Sequence, residues 1–208
     1  FGENIAIDGD AAYCQAVSAA LTQLLAFRTG SAVIRDIWSN RQRRLRIAPW
    51  TGNAVNADVG PASWPDGFSG LEPVRTMGGR PTVGMGTGRG SDATMHYSPT
   101  RFQHDCSYAL ANGRRGSLGP AVSEGLDCNS ILLHELVHAV RFMRGAARRR
   151  QVRNPNGGWR LPANLNDEEE LVAITVANIY ASERVLALRA GHGGSATPGG
   201  NSLENDEF

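Results

Sequence analysis

Asn129-Ser130-Ile131-Leu132-Leu133-His134-Glu135-Leu136-Val137-His138-Ala139-Val140 is the stretch on which the reading of this chain turns. It predicts a helix: Asn129 or Ser130 caps the start, the apolar positions run almost unbroken, and Gly145 supplies an end signal. A helix apolar on nearly every side belongs in a core. Residues i and i+4 of a helix share a face, so His134 and His138 point the same way and their imidazoles reach one ion. Glu135 stands beside that face. Burying these three ionisable groups without a metal or close partners is costly. The spacing therefore predicts His134 and His138 as ligands of one Zn²⁺ per chain. Zinc with three protein ligands keeps a position open for water, which ionises near neutral pH, and Glu135 is the expected general base.

The third ligand is expected from a second helix. Asn166-Asp167-Glu168-Glu169-Glu170 leads into the apolar run Leu171 to Tyr180. Asn166 is a good N-cap, and Glu169 stands three residues on, as in a capping box. Acidic residues in a first turn are also favoured by the helix dipole, so only one glutamate needs a further role. Glu170 abuts the apolar run directly and is the first candidate to point inward, with Glu169 as the fallback.

The box His134-Glu135-Leu136-Val137-His138-Ala139 resembles the HELxHA box shared by clostridial neurotoxin light chains and many bacterial effector metallopeptidases. Glu170-Leu171-Val172-Ala173, followed by Asn178-Ile179-Tyr180-Ala181-Ser182-Glu183, resembles the glutamate helix of those effectors. It is also similar to that of anthrax lethal factor, where the ligand directly precedes a hydrophobic pair and an alanine. The opening Ile5-Ala6-Ile7-Asp8-Gly9-Asp10, followed by an amphipathic helix, resembles the start of NleD-type toxin domains. Such domains occur as injected effectors and as C-terminal warheads of Rhs-type polymorphic toxins. The resemblance implies metallopeptidase chemistry with Glu170 as third ligand. It also implies secretion or delivery into a target cell, as the terminal domain of a larger protein or alone. A protein or peptide substrate and an immunity protein are the expected partners; the target itself stays open.

Length and composition fit one enzyme domain over residues 1–190, followed by an acidic, Gly-rich flexible tail over 191–208. The 208 residues are 41% hydrophobic. No run is long enough to cross a bilayer. No secretory signal is present and the chain begins with Phe1, as expected of a domain released from something longer. Net charge is +1, yet all 21 basic residues are arginine. A high-GC genome accounts for this; the functional alternative is escape from ubiquitin attachment in a eukaryotic cytosol, which needs lysine. Three cysteines, Cys14, Cys106 and Cys128, make no disulfide-dense scaffold. Cys14 packs as a small hydrophobe on the first helix, while Cys106 and Cys128 flank the loop before the zinc helix and can pair only in an oxidising compartment.

The remaining pattern is mixed. Helices are expected from Asp10 to about Phe27 and from Ser31 to Ser39, and a strand over Leu45–Pro49. The Gly/Pro-rich stretch from Gly52 to Gly90 holds short strands and long loops, with Pro81–Met85 the best strand candidate. Ala93–Ser98 alternates as a strand. By analogy with zincin-like folds, it is the candidate to edge the cleft and pair with an extended substrate. The expected fold is α+β and zincin-like, with zinc helix and glutamate helix packed on a small mixed sheet.

Weaker candidates complete the site. His96, Tyr97 and Tyr180 are available as donors to the oxyanion formed when water attacks a carbonyl, though each is more commonly a packing residue. Asn178, two turns beyond Glu170, is a candidate hydrogen-bonding support. His104 and His192 read as surface residues. Arg141, Arg144, Arg148, Arg149, Arg150 and Arg153 cluster near the end of the zinc helix, either as dipole-favoured solvated charge or as a dock for an acidic partner. Interleaved aromatics are lacking, so nucleic-acid binding is not expected. Two rivals to an effector endopeptidase remain: a cell-wall peptide or amide hydrolase used against competing bacteria, and a catalytically silent zinc-stabilised binding module. Glu135 argues against the last, since a structural site needs no base and has four protein ligands.

Overall fold

The computed structural model describes residues 1–50, 57–70, 73–75, 82–99, 128–148, 168–185, 188–191 and 194–196. Strand β1 (Ile5–Ile7) leads into α1 (Ala11–Leu25) and α2 (Arg28–Ser39), then β2 (Leu45–Pro49) and β3 (Ala57–Pro61). A short helix α3 (Trp64–Gly67) and strands β4 (Pro73–Arg75), β5 (Thr82–Met85) and β6 (Ala93–Tyr97) follow. Helices α4 (Cys128–Met143) and α5 (Glu168–Glu183) come next, then a hairpin of β7 (Leu188–Gly191) and β8 (Gly194–Ala196). The architecture is α+β, as expected, and none of the described helices is long and apolar enough to cross a membrane.

The main sheet has the order β1-β2-β6-β3. The first three strands are parallel and β3 is antiparallel to β6. Side chains alternate across a strand. Leu45, Ile47, Ala93, Met95 and Tyr97 accordingly enter one core, while Arg46, Thr94 and His96 stand on the more open face. That core takes Val17, Leu21 and Leu24 from α1 and Ile34 and Ile37 from α2. From α4 it takes Leu132, Leu136, Ala139 and Met143, which stack along one side of the helix. Each fully buried Leu or Ile contributes about 1.5–3 kcal/mol.

Three expectations need correction. Ala93–Tyr97 is a strand, but it lies between β2 and β3, so its backbone is already paired and it cannot edge a cleft. Among the described residues the terminal strand beside α4 is β3, against which α4 packs more than against any other strand. Helix α2 starts at Arg28 rather than Ser31, because the Glu183 carboxylate from α5 takes the Thr29 amide at 3.2 Å and its hydroxyl at 2.8 Å. Asn129 and Ser130 are not caps. The helix already includes Cys128; Asn129 Nδ2 donates to Gln23 Oε1 of α1 at 2.8 Å, and Ser130 is buried.

Other expectations hold. Asp10 caps α1, accepting from the Tyr13 amide at 2.8 Å. Gly145 ends α4 at φ +64, with its amide on the Phe142 carbonyl (3.1 Å) and the Ala146 amide on that of Arg141 (2.8 Å). This is a Schellman close, which favours glycine at the left-handed position. A Cβ here would also lie 2.4 Å from the Gly88 carbonyl carbon. The Asn166 cap, the Cys106–Cys128 pairing, His104, His192, Arg149, Arg150, Arg153 and the tail from 197 onward lie outside the described residues or side chains.

Candidate metal centre

Helix α4 buries two opposite sides. At about 100° per residue, His134, His138 and Arg141 form a stripe roughly opposite the Leu132–Leu136–Ala139–Met143 stripe. The apolar stripe holds the helix in the core, and the polar stripe meets the first turn of α5. Both imidazoles are almost fully buried. Burial of this kind requires partners, and α5 provides them.

Three donor atoms converge there. His134 Nε2 lies 3.0 Å from His138 Nε2 and 3.3 Å from Glu170 Oε2, and His138 Nε2 lies 3.6 Å from the same oxygen. The imidazole rings meet edge to face with centroids 4.7 Å apart. Two ring nitrogens and a carboxylate oxygen at these distances need a proton or a metal ion between them. Ligands at tetrahedral angles and about 2.0–2.1 Å from a zinc ion stand roughly 3.3 Å from each other. The three measured separations bracket that value, and the donor set, two imidazoles and one carboxylate, is one that zinc accepts. These residues fit a zinc ion. Within the described residues they also form the one His/Cys/Asp/Glu group with metal-binding proximity.

Residues 2–174 match the effector-protein family Peptidase_M91, a span that contains His134, Glu135, His138 and Glu170. The chain belongs to this peptidase family. No curated protein and no solved structure gives a significant match.

In this Peptidase_M91 family member, the neighbouring Glu169 lies on the other side of His138. Its Oε1 is 3.3 Å from His138 Nδ1. Arg141 Nε donates to both carboxylate oxygens at 2.9 and 2.8 Å, and the Arg148 amide donates to Oε2 at 3.0 Å. The Glu169 side chain is 7% exposed and that of Glu170 is 30% exposed. The residue that points deepest is therefore the fallback, and the one at the Nε2 atoms is the first candidate. Glu169 thus contacts His138 and Arg141 of α4 and the Arg148 amide beyond it.

Charge around His138 follows from this geometry. Burial lowers the imidazole pKa, but hydrogen bonds to Glu169 and Glu170, with the charges of Glu135 and Glu170, outweigh it and raise the value to about 10. The carboxylates around the ring favour positive charge there. Glu135, half-buried on α4, adds its charge to the same centre.

The remaining candidates have other contacts. His96 pairs with Asp58 across β3 and β6 at 3.0 Å, with Trp50 nearby. Tyr97 is in the sheet core, and its carbonyl accepts from Tyr13 Oη at 3.0 Å. Tyr180 packs edge-on against Phe27 and beneath Arg184, at the α1–α2 junction. Asn178 is half-buried about 12 Å along α5 from Glu170 by helical rise. Of the arginine cluster, Arg141 and Arg148 engage Glu168 and Glu169, while Arg144 pairs with Asp36. Solvated charge and a dock for an acidic partner were the two expectations for Arg141; neither takes account of its position three residues after His138 on the same stripe, where it meets Glu169.

Proposed function

We propose that this chain is a zinc-dependent endopeptidase, delivered as a bacterial effector or toxin domain, that cleaves a protein of the target cell. Residues 1–190 form its catalytic domain. The observation that carries the reading is the convergence of His134 Nε2, His138 Nε2 and Glu170 Oε2 at spacings suited to one tetrahedral ion. Zn²⁺ held there supplies Lewis acidity toward a peptide carbonyl and makes water a nucleophile near neutral pH. Glu135 takes the proton of the attacking water and returns it to the departing amine. Among the described residues the β3 strand is terminal in its sheet, an edge along which an extended peptide would add as a further strand. The absence of lysine agrees with action inside a eukaryotic cytosol.

The test joins metal content by mass spectrometry to cleavage of a mixed peptide library. Wild type and Glu135→Gln should each carry a single zinc ion per chain, with cleavage confined to wild type. A wild-type protein that takes up no zinc on reconstitution, or equal cleavage by both, would sink the reading.

A further inference from the structure

We infer that Glu169 is a positioning residue for the metal ligand His138, acting as a buried, arginine-backed acceptor that fixes the ring's tautomer and orientation. The inference rests on the zinc-peptidase reading of the same site. Among the described residues Glu169 meets donors: Arg141 Nε on both oxygens, the Arg148 amide on Oε2, and His138 Nδ1 facing Oε1. A carboxylate so surrounded accepts and does not donate, so in the neutral, metal-binding ring the hydrogen of His138 is placed at Nδ1 and the lone pair at Nε2. That Nε2 faces His134 Nε2 and Glu170 Oε2.

The device is held from both sides. Arg141 lies on the same helix stripe as His138, and its guanidinium also donates to the Ala146 carbonyl at 3.0 Å. The reversal at Gly145 thus returns Ala146 and Arg148 toward the carboxylate that orients the ligand. Adjacent residues on α5 then act on opposite nitrogens of one imidazole, Glu170 at Nε2 and Glu169 at Nδ1. Partners of this kind raise ligand basicity and limit ring rotation, and their loss weakens metal binding by about 10–100-fold.

The test measures zinc affinity by competition with a chromophoric chelator, with solvent exchange of the His138 Nδ1 proton followed by ¹⁵N NMR on the zinc-loaded full chain. Glu169→Ala would leave Arg141 buried and unpaired, a risk to folding. The main variant is therefore Glu169→Met combined with Arg141→Met, checked by circular dichroism. Glu169→Gln, which keeps an acceptor for Nδ1, is the conservative control. We expect about 10–100-fold weaker zinc binding and faster Nδ1 proton exchange in the double variant, with Glu169→Gln closer to wild type. Wild-type affinity in the folded double variant overturns the inference. So does rapid Nδ1 exchange in the wild-type protein, a readout that stands even if the double variant does not fold. Complete zinc loss with Glu169→Gln but retention with Glu170→Ala also overturns it, making Glu169 the ligand. Failure of the wild-type chain to bind zinc defeats the peptidase reading instead, and so separates the two.

Discussion

Glu169 and Glu170 are neighbours in the chain and stand on opposite sides of one imidazole. The first places Oε1 3.3 Å from His138 Nδ1, and the second places Oε2 3.6 Å from His138 Nε2. A helix separates consecutive side chains by about 100°, so two adjacent carboxylates can bracket a ring presented by a neighbouring helix. The pair divides the labour that an acidic first turn would otherwise leave to the helix dipole. One carboxylate meets the donor atoms of the centre and the other meets Arg141.

Substitution of the centre should separate binding from chemistry. His134→Ala, His138→Ala and Glu170→Ala should each lose stoichiometric zinc, whereas Glu135→Gln should keep it and lower the cleavage rate by roughly 10²–10⁴-fold. Metal analysis and peptide cleavage on the same preparations check both halves. Zinc retained by Glu170→Ala would move the third ligand elsewhere.

Metal removal should expose a pH dependence set by His138. Its pKa in the folded protein, about 10, lies above the ordinary imidazole value near 6.5. A raised value means that the folded state holds the proton more tightly than the unfolded one. The stabilisation is fully present below about pH 6.5 and is lost as pH rises through about 10. Chelated protein should therefore lose resistance to urea between pH 6.5 and 10. Zinc-loaded protein should lack that slope, because the metal has replaced the proton. A chelated protein that gains stability over the same range contradicts the assignment.

Gly145→Ala should destabilise the fold by at least about 2 kcal/mol, since it forces a side chain into the left-handed region. It also sets a Cβ against Gly88 and Gly90. Zinc affinity should fall with it, because the reversal carries the Arg148 amide to Glu169. Thermal unfolding and chelator competition measure the two effects. An unchanged midpoint would show that the turn relaxes at no cost.

Glu183→Ala should shorten α2. Its carboxylate is the cap for Thr29, supplied from 154 residues away, and removing a cap of this kind costs about 1 kcal/mol. Hydrogen exchange at Ser31 and Thr29 should quicken while zinc content stays unchanged, since the contact lies at the α1–α2 junction rather than at the metal centre.

The shared face of His134 and His138 was readable in the chain because helical periodicity is local: about four residues make one turn whatever surrounds them. The same locality made β2 and α1 with its Asp10 cap readable, along with the stop at Gly145. Proximity between distant segments is another matter. Ranking Glu170 ahead of Glu169 by closeness to the apolar run chose the residue at the Nε2 atoms, although Glu169 is the more deeply buried of the two. What separates them is the packing of α5 on α4, which local pattern does not encode. Arg141 looked like dipole-favoured charge for the same reason, and Asn129 looked like a cap until Gln23 of α1 was set against it. The alternation of Ala93–Tyr97 marks a strand but carries no information on whether its neighbours leave an edge free; sheet order does, and among the described residues it gives the edge to β3. Local spacing thus settled which side chains face one way along a helix. Long-range packing settled which partners those side chains meet, because burial makes each polar group find its complement wherever in the chain it lies.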